Sequence, residues 1–377
     1  MTQRDTVSIV ERNEDIRPIL DAACRYGHHS GGMEHAEKQL ALLITTDVHG
    51  DSAHFRSAVR YLNEVPSLDA GICLGDMAPE NYIHEHRWYA ETVLQAQKPW
   101  YTVLGNHDGG NSAARRISAT VDEQFDKWIR PTLPRIGVRT EKPWYAVRFD
   151  AYGVELIVLD CQDVPDDTDE AGDFCISRGA FGFSQAQMDW FVRELTEVPE
   201  GYTLVLALHD LAEDLTKETC SWTQPGTRAR TARENCWAGL LPELMDAWIR
   251  GTFLSVTRQP EGPAFARYMP ALTVQADFTQ RGKGLFAGYL AGHTHLDAVG
   301  HVTAYPEQKY YSFAATANDL WQNHACDLPR AKGIKAEDCI SAAVIDTLKR
   351  QVKLVRIGAC FTMDMTERRF HVGTYGE

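Results

Sequence analysis

Short apolar runs alternate with amphipathic segments early in the chain, and this alternation most limits how the chain can fold. The runs LALLITTD (40–47), AGICLGD (70–76) and WYTVLG (100–105) predict strands, because they are rich in β-branched, aromatic and other apolar residues. Segments 51–64 and 82–97 between them predict helices with one apolar face. Strands joined by helices through short connections are typical of parallel pairing with right-handed crossovers, which indicates an α/β fold.

The pattern changes after the third predicted strand. Segments 144–150 and 154–160 flank Ala-Tyr-Gly and predict a hairpin, and 203–210 predicts another buried strand. Runs such as LFAGYLAGHTHLD (285–297), HVTAYP, KYYSFA, ISAAVID and QVKLVRIG predict further strands, which we expect to be mostly antiparallel. The chain therefore combines a parallel beginning with a largely antiparallel end.

One sheet-based domain fits this organisation better than two independent domains. We expect an N-terminal arm over 1–38, the main domain over 39–358 and a C-terminal tail over 359–377. Residues 211–283 are rich in Trp, Arg and Pro and predict a mid-chain insertion, largely helical around 239–250.

Composition narrows the function classes. The 377 residues are 44% hydrophobic, as in a globular protein with a full core, and their formal net charge of −14 argues against a nucleic-acid partner. The nine cysteines form no C-x-x-C pair and stand mostly in apolar surroundings, which favours reduced thiols in a cytoplasmic protein. No run has the roughly 18–20 apolar residues of a membrane span, so we expect no membrane partner.

Five of the predicted strands share one property: each apolar run stops at an Asp, Asn or His. The endings are TTDVHGD, CLGDM, LGNHD, LHD and AGHTHLD. In α/β proteins the carboxyl ends of the strands gather at one edge of the sheet, where functional sites lie. These polar residues are therefore expected to meet.

The cluster has the composition of a metal site. Side chains two apart on a strand point to the same face, so Asp47 and His49 should converge, as should His293 and His295. Three glycines would let the backbone approach closely beside the polar residues: Gly75, Gly105 and Gly292. Oxygen and nitrogen donors without thiolate suit two first-row divalent metals that share a carboxylate. The candidate donors are Asp47, His49, Asp76, Asn106, His209, His293 and His295.

In this order the motifs resemble the signature of the calcineurin-like metallophosphoesterases, over about residues 41–297. The resemblance rests on Asp47-x-His49, Gly75-Asp76, Gly105-Asn106-His107-Asp108, His209 and Gly292-His293-x-His295. It implies a four-layer β-sandwich flanked by helices. It also implies that one metal is held by Asp47, His49, Asp76 and His295, and the other by Asp76, Asn106, His209 and His293, with Asp76 bridging. The donor types accept Mn, Fe, Zn, Ni or Co.

The implied chemistry is phosphoester hydrolysis. A water bridging the two ions would lose a proton near neutral pH and become the nucleophile. By the resemblance, His107 would lie near the leaving group as its acid or electrostatic stabiliser. In protein Ser/Thr phosphatases a carboxylate orients this histidine, but Pro79 occupies its place here, so Asp108 or Glu80 could take the role. Around His209 many phosphodiesterases carry a second histidine, whereas this chain has Leu208 and Asp210.

The sequence thus predicts a dinuclear metal-dependent hydrolase acting on a phosphodiester or a small phosphomonoester. A nuclease or nucleotide pyrophosphatase is the alternative enzyme, and a catalytically silent, metal-stabilised scaffold is the alternative of another class. Complete ligands and a retained His107 count against the scaffold. The sequence leaves the oligomeric state and the natural substrate open.

Overall fold

The fold is described from a computed structural model. The described residues are 8–25, 39–109, 118–140, 142–176, 180–211, 215–217, 234–235, 237, 239–261, 263–293, 295, 298–312, 333–359 and 370–376.

The α-helices of these ranges are α1 (Ile9–Arg12), α2 (Arg17–Arg25), α3 (Ser52–Glu64), α4 (Ile83–Val93), α5 (Asn106–Gly109), α6 (Val121–Gln124), α7 (Gln185–Glu197), α8 (Leu240–Arg250) and α9 (Pro263–Tyr268). The strands are β1 (Gln39–Thr45), β2 (Ala70–Cys73), β3 (Trp100–Thr102), β4 (Val138–Thr140), β5 (Tyr145–Phe149), β6 (Val154–Val158), β7 (Ala180–Phe181), β8 (Thr203–Ala207), β9 (Leu215–Lys217), β10 (Glu234–Asn235), β11 (Phe253–Arg258), β12 (Leu272–Asp277), β13 (Leu285–Ala291), β14 (Ala298–Val302), β15 (Tyr305–Ser312), β16 (Cys339–Asp346), β17 (Gln351–Gly358) and β18 (Phe370–Thr374).

The first sheet has six strands in the order β18-β17-β16-β1-β2-β3. As predicted, β1, β2 and β3 are parallel neighbours, connected through α3 and α4. All seven residues of β1 are buried, which agrees with the continuous apolar run expected of a strand covered on both faces. Strands β16, β17 and β18 complete the sheet in antiparallel pairing.

The second sheet has eight strands in the order β4-β5-β6-β8-β13-β15-β14-β9. The predicted hairpin is confirmed, since β5 and β6 pair antiparallel. The centre of the second sheet differs from the expected antiparallel arrangement, because the neighbouring strands β6, β8, β13 and β15 pair in parallel. The predicted strand HVTAYP is interrupted, since β14 ends at Val302 and β15 begins at Tyr305.

The two sheets face each other, and helices cover their outer faces. Alternate residues of β6 point to opposite sides: Val158 joins the core that also contains β1, whereas Ile157 joins the core beneath α7. Helix α3 packs on β1 and β2, and α8 packs on β15. The architecture is therefore a mixed α/β sandwich of two sheets flanked by helices, as the sequence predicted.

Both ends of the described chain pack on the first sheet. Within the predicted N-terminal arm, Ile9, Ile16 and Leu20 are buried, and α2 contacts β16 and β17. Within the predicted tail, β18 pairs with β17, and the buried hydroxyl of Tyr375 lies 3.0 Å from Thr203 Oγ1. The predicted domain boundaries stay a prediction, but the described parts of these segments contribute to the core.

The predicted insertion contains the helix α8 and the hairpin β11–β12. Trp248 of α8 is fully buried and its Nε1 donates a hydrogen bond to the carbonyl of Leu195 at 2.9 Å. This contact joins the insertion to α7. Among the described helices, none combines the length and the apolar character that a bilayer crossing demands.

The burial of α2 gives a stability prediction. Leu20→Ala should lower the free energy of unfolding by about 2–5 kcal/mol, because a fully buried leucine loses its apolar contacts and leaves a cavity. Ile136→Ala removes a similar side chain that is 91% exposed and should change it by about 0.5 kcal/mol or less. Urea denaturation of both variants measures the difference. Equal effects would show that α2 lies outside the cooperatively folded unit.

Candidate metal centre

The polar strand endings meet between the two sheets. Asp47 and His49 follow β1, and Asp76 follows β2. From the second sheet, His209 follows β8 and His293 follows β13. The carboxyl ends of parallel strands thus bring residues far apart in sequence to one place, as predicted.

These side chains converge for a different reason from the predicted one. We expected Asp47 and His49, and likewise His293 and His295, to alternate along strands, but β1 ends at Thr45 and β13 ends at Ala291. Five of the seven candidate ligands lie beyond their strands with left-handed backbone conformations, with φ of 51° for Asp47, 45° for His49, 53° for Asp76, 65° for His293 and 52° for His295. Such conformations are costly for residues other than glycine and concentrate at functional sites.

Three glycines make room for this packing, as predicted. A Cβ on Gly75 would overlap the ring of His209, and one on Gly105 would overlap the carboxylate of Asp76. A Cβ on Gly292 would overlap the hydroxyl of Thr46. Only glycine allows the turns to approach one another this closely.

The first group of candidate ligands contains Asp47, His49, Asp76 and His295. His295 Nε2 lies 3.1 Å from Asp47 Oδ1 and 3.2 Å from His49 Nε2. His49 Nε2 lies 3.7 Å from Asp76 Oδ2. Two imidazole nitrogens and two carboxylate oxygens therefore face one point.

The second group contains Asp76, His209 and His293, and Asn106 adds an amide oxygen. His209 Nε2 lies 3.2 Å from Asp76 Oδ2 and 3.2 Å from Asn106 Oδ1. His293 Nδ1 lies 2.9 Å from the same Asn106 oxygen. Asp76 is common to both groups and presents Oδ2 to each.

These separations fit the coordination of a divalent cation. Ligands at right angles on bonds of about 2.1 Å lie about 3.0 Å apart, close to the observed distances except the 3.7 Å between His49 and Asp76. Asp47 Oδ1 is buried and has His295 Nε2 at 3.1 Å but no hydrogen bond of good geometry, so a cation would satisfy it. The donors are imidazole nitrogen, carboxylate oxygen and amide oxygen, which suit first-row divalent metals.

Groups behind the ligands fix which atom faces the centre. Thr46 Oγ1 and the His293 N–H donate to Asp47 Oδ2 at 2.6 and 3.1 Å, which leaves Oδ1 for a metal. His209 Nδ1 lies 2.7 Å from the carbonyl of Leu74. Because a carbonyl only accepts, this contact places the proton on Nδ1 and leaves Nε2 as the ligand atom.

The electrostatic environment favours anionic carboxylates. Burial alone would raise the pKa of Asp47, but the charge of His295 outweighs it and lowers the pKa to about 2. Asp76 is likewise held well below its usual pKa by His209, against the effect of burial. Burial lowers the pKa of His49 to about 4, which favours the neutral imidazole that binds metal. For His209, burial is outweighed by Asp76, and the pKa rises to about 10.

His107 lies beside the first group without being part of it. Its ring is edge-on to that of His49, with the centroids 4.5 Å apart. The backbone N–H of His107 donates to Asp76 Oδ1 at 2.9 Å. Its Nδ1 lies 2.7 Å from the carbonyl of Pro79. The orienting group that the sequence left open between Asp108 and Glu80 is therefore a backbone carbonyl.

Asp108 has a different place from His107. Its carboxylate is fully buried and accepts hydrogen bonds from the N–H groups of Ala78 and Gly105, at 2.9 and 2.8 Å. Burial raises the pKa of Asp108 to about 8, to which the nearby charge of Asp76 contributes. A direct catalytic role of Asp108 stays a prediction.

Sequence reasoning missed the residues behind the ligands. Thr46 could have been found from its position directly before Asp47, whereas the carbonyls of Leu74 and Pro79 have no side-chain signal. Asp210 is buried with Oδ2 3.7 Å from His293 Nε2, so it stands behind that ligand.

Comparison with solved structures finds similar chains at low sequence identity. The purple acid phosphatase PPD1 from yellow lupin (Lupinus luteus) seeds is 10% identical, with a TM-score of 0.41. The match covers 86% of this chain and 53% of the lupin chain, so this chain spans about half the length of that relative.

Two further structures match a larger share of their own length. The protein TT1561 of Thermus thermophilus is 10% identical with a TM-score of 0.37, over 89% of this chain and 98% of the other. The phosphopantetheinyl hydrolase PptH from Mycobacterium tuberculosis is 13% identical with a TM-score of 0.36, over 74% and 91%.

A search of curated proteins finds no match. The family profile named calcineurin-like phosphoesterase matches residues 40–297, which is more than half of the chain and includes every candidate ligand. The chain belongs to the calcineurin-like phosphoesterase family.

Proposed function

We propose that the protein is a dinuclear metal-dependent phosphoester hydrolase that acts on a phosphodiester or a small phosphomonoester. The observation that carries this proposal is the position of Asp76. Its Oδ2 lies 3.7 Å from His49 Nε2 in one group and 3.2 Å from His209 Nε2 in the other. A carboxylate oxygen between two sets of donors is the arrangement that two-metal hydrolases use.

In the proposed hydrolysis the candidate ligands and His107 have different roles. Two divalent ions, when bound, would neutralise phosphoryl charge and lower the pKa of water so that it can attack near neutral pH. The first ion would be held by Asp47, His49, Asp76 and His295, and the second by Asp76, Asn106, His209 and His293. His107, whose Nδ1 is occupied by the Pro79 carbonyl, would protonate the leaving group through Nε2.

The proposed substrate class follows from charge. A chain of net charge −14 repels polynucleotides, which favours a small ester over the nuclease alternative. A nucleotide pyrophosphatase would share the same site chemistry. We place the reaction in the cytoplasm, since cysteines in apolar surroundings suit a reducing compartment.

The first prediction concerns activity and the shared ligand. With Mn²⁺ or Ni²⁺, the protein should hydrolyse bis-p-nitrophenyl phosphate or p-nitrophenyl phosphate. Asp76→Asn should lower kcat by about 10³-fold or more and reduce the binding of both ions, because charge stabilisation worth several kcal/mol depends on them. Elemental analysis and nitrophenolate release measure the two effects.

Asp189→Asn is the matched control, because this carboxylate is exposed on α7, on the outer side of the second sheet. It should retain activity and metal content. Two bound ions with no turnover of either ester under any divalent metal would instead support the silent scaffold. Loss of one ion alone in Asp76→Asn would contradict the bridging position.

The second prediction concerns His107. His107→Asn should lower kcat on an alkyl phosphoester by about 10²- to 10⁴-fold, the usual contribution of general acid catalysis. Metal content should stay unchanged, since His107 belongs to neither group of candidate ligands. Loss of metal together with activity would make His107 a ligand or the support of one.

A further inference from the structure

A buried carboxylate ties together the two turns that carry the centre. Asp108 Oδ1 accepts the N–H of Ala78, and Oδ2 accepts the N–H of Gly105. Ala78 lies in the turn after β2, and Gly105 lies in the turn after β3. Since Asp108 is 0% exposed, these two bonds are not in competition with water.

The peptide held by Asp108 leads directly to the group that orients His107. Ala78 precedes Pro79, whose carbonyl lies 2.7 Å from His107 Nδ1. A carbonyl can only accept, so the contact requires a proton on Nδ1 and leaves Nε2 as the nitrogen that can exchange one. The orientation of the imidazole therefore depends on where the turn places the Pro79 carbonyl.

A second set of buried contacts supports the same turn. Gln124 Nε2 donates to the backbone carbonyl of Asp108 and to Asn81 Oδ1, the latter at 2.8 Å. Asn81, two residues after Pro79, has a left-handed φ of 63° and donates through Nδ2 to the carbonyl of Ala119 at 3.0 Å. The turn is thus fixed on both sides of Pro79 by groups that lie outside the metal ligands.

We propose that Asp108 is a positioning residue for His107, acting through the Ala78 amide and the Pro79 carbonyl. The inference rests on the proposed function, in which His107 protonates the leaving group. It assigns to a peptide carbonyl the role that a side-chain carboxylate has in protein Ser/Thr phosphatases. Through these contacts Asp108 reaches His107 by way of the backbone.

Leaving-group dependence separates positioning from a merely structural role. Nitrophenolate leaves readily without a proton, whereas an alkoxide needs one. Asp108→Asn keeps the shape but presents an NH₂ group to one of the two backbone donors, so the turn should shift. We expect kcat to fall about 10- to 100-fold more on an alkyl ester than on the nitrophenyl ester of the same phosphate class. Equal losses on both esters would overturn the proposal.

A double-mutant cycle tests whether Asp108 acts through His107. In the His107→Asn background, Asp108→Asn should cause almost no additional loss on the alkyl ester, because the residue it positions is already gone. Additive losses would show that Asp108 acts independently of His107. Metal content of all variants should match that of the wild type.

Asp69→Asn provides the matched control for a lost buried acceptor. Asp69 Oδ2 accepts the N–H of Ala41 at 2.8 Å, and Oδ1 accepts the hydroxyl of Tyr152 at 2.7 Å. It lies directly before β2, at the opposite end of that strand from Asp76. Asp69→Asn should lower the free energy of unfolding and leave the ratio of kcat on the alkyl ester to kcat on the nitrophenyl ester unchanged.

A measurement on the unaltered protein covers the case in which Asp108→Asn does not fold. In ¹⁵N-histidine NMR of the zinc-loaded wild type, the His107 signal, identified by its absence in His107→Asn, should show a proton on Nδ1 in the neutral ring. A neutral ring protonated on Nε2 would overturn the proposal. Failure of the proposed function is distinguishable, since the wild type would then hydrolyse neither ester.

Discussion

The centre depends on the burial of two carboxylates, Asp47 and Asp76, which are 0% and 1% exposed. A buried charge is costly unless cations or hydrogen-bond donors surround it. One oxygen of each carboxylate accepts backbone or hydroxyl hydrogen bonds, while the other faces histidine nitrogens 3.1–3.2 Å away. This division between a hydrogen-bonded oxygen and an oxygen that faces histidines gives the closely packed polar cluster the donors that a divalent cation could bind.

This arrangement requires left-handed backbone conformations, and each such residue costs about 1–3 kcal/mol of folding free energy. They persist because backbone hydrogen bonds determine them: the N–H of Asp47 donates to the Gly75 carbonyl at 3.0 Å, and that of His49 to the Asp76 carbonyl at 2.9 Å. The turns after β1 and β2 are thus bonded to each other beyond the last paired strand residues. The fully buried strands behind them provide the rigid support that holds the strained backbone in place.

The sequence identified side chains that the structure brings together, because each follows an apolar run and several stand beside glycines such as Gly75 and Gly105. Their binding of metal stays a prediction. The sequence predicted the convergence of Asp47 and His49 for the wrong reason, since strand termination and left-handed φ values depend on contacts between distant turns. The parallel pairing of β8 with β13 was also missed, because residues 208–284 separate the two strands and the pairing has no local signature. Backbone acceptors such as the Leu74 carbonyl cannot be predicted from a pattern of side chains.

The Pro79 carbonyl has a role that a side-chain carboxylate could also have. A carboxylate and a carbonyl both accept a hydrogen bond from Nδ1 and so select the same imidazole tautomer, but the carbonyl adds no negative charge beside Asp76. The position of a side-chain acceptor depends on its rotamer, whereas the position of a backbone carbonyl depends on the conformation of its peptide. The constraint therefore moves from one residue to the turn, and the buried contacts of Asp108, Asn81 and Gln124 become part of what keeps His107 in place.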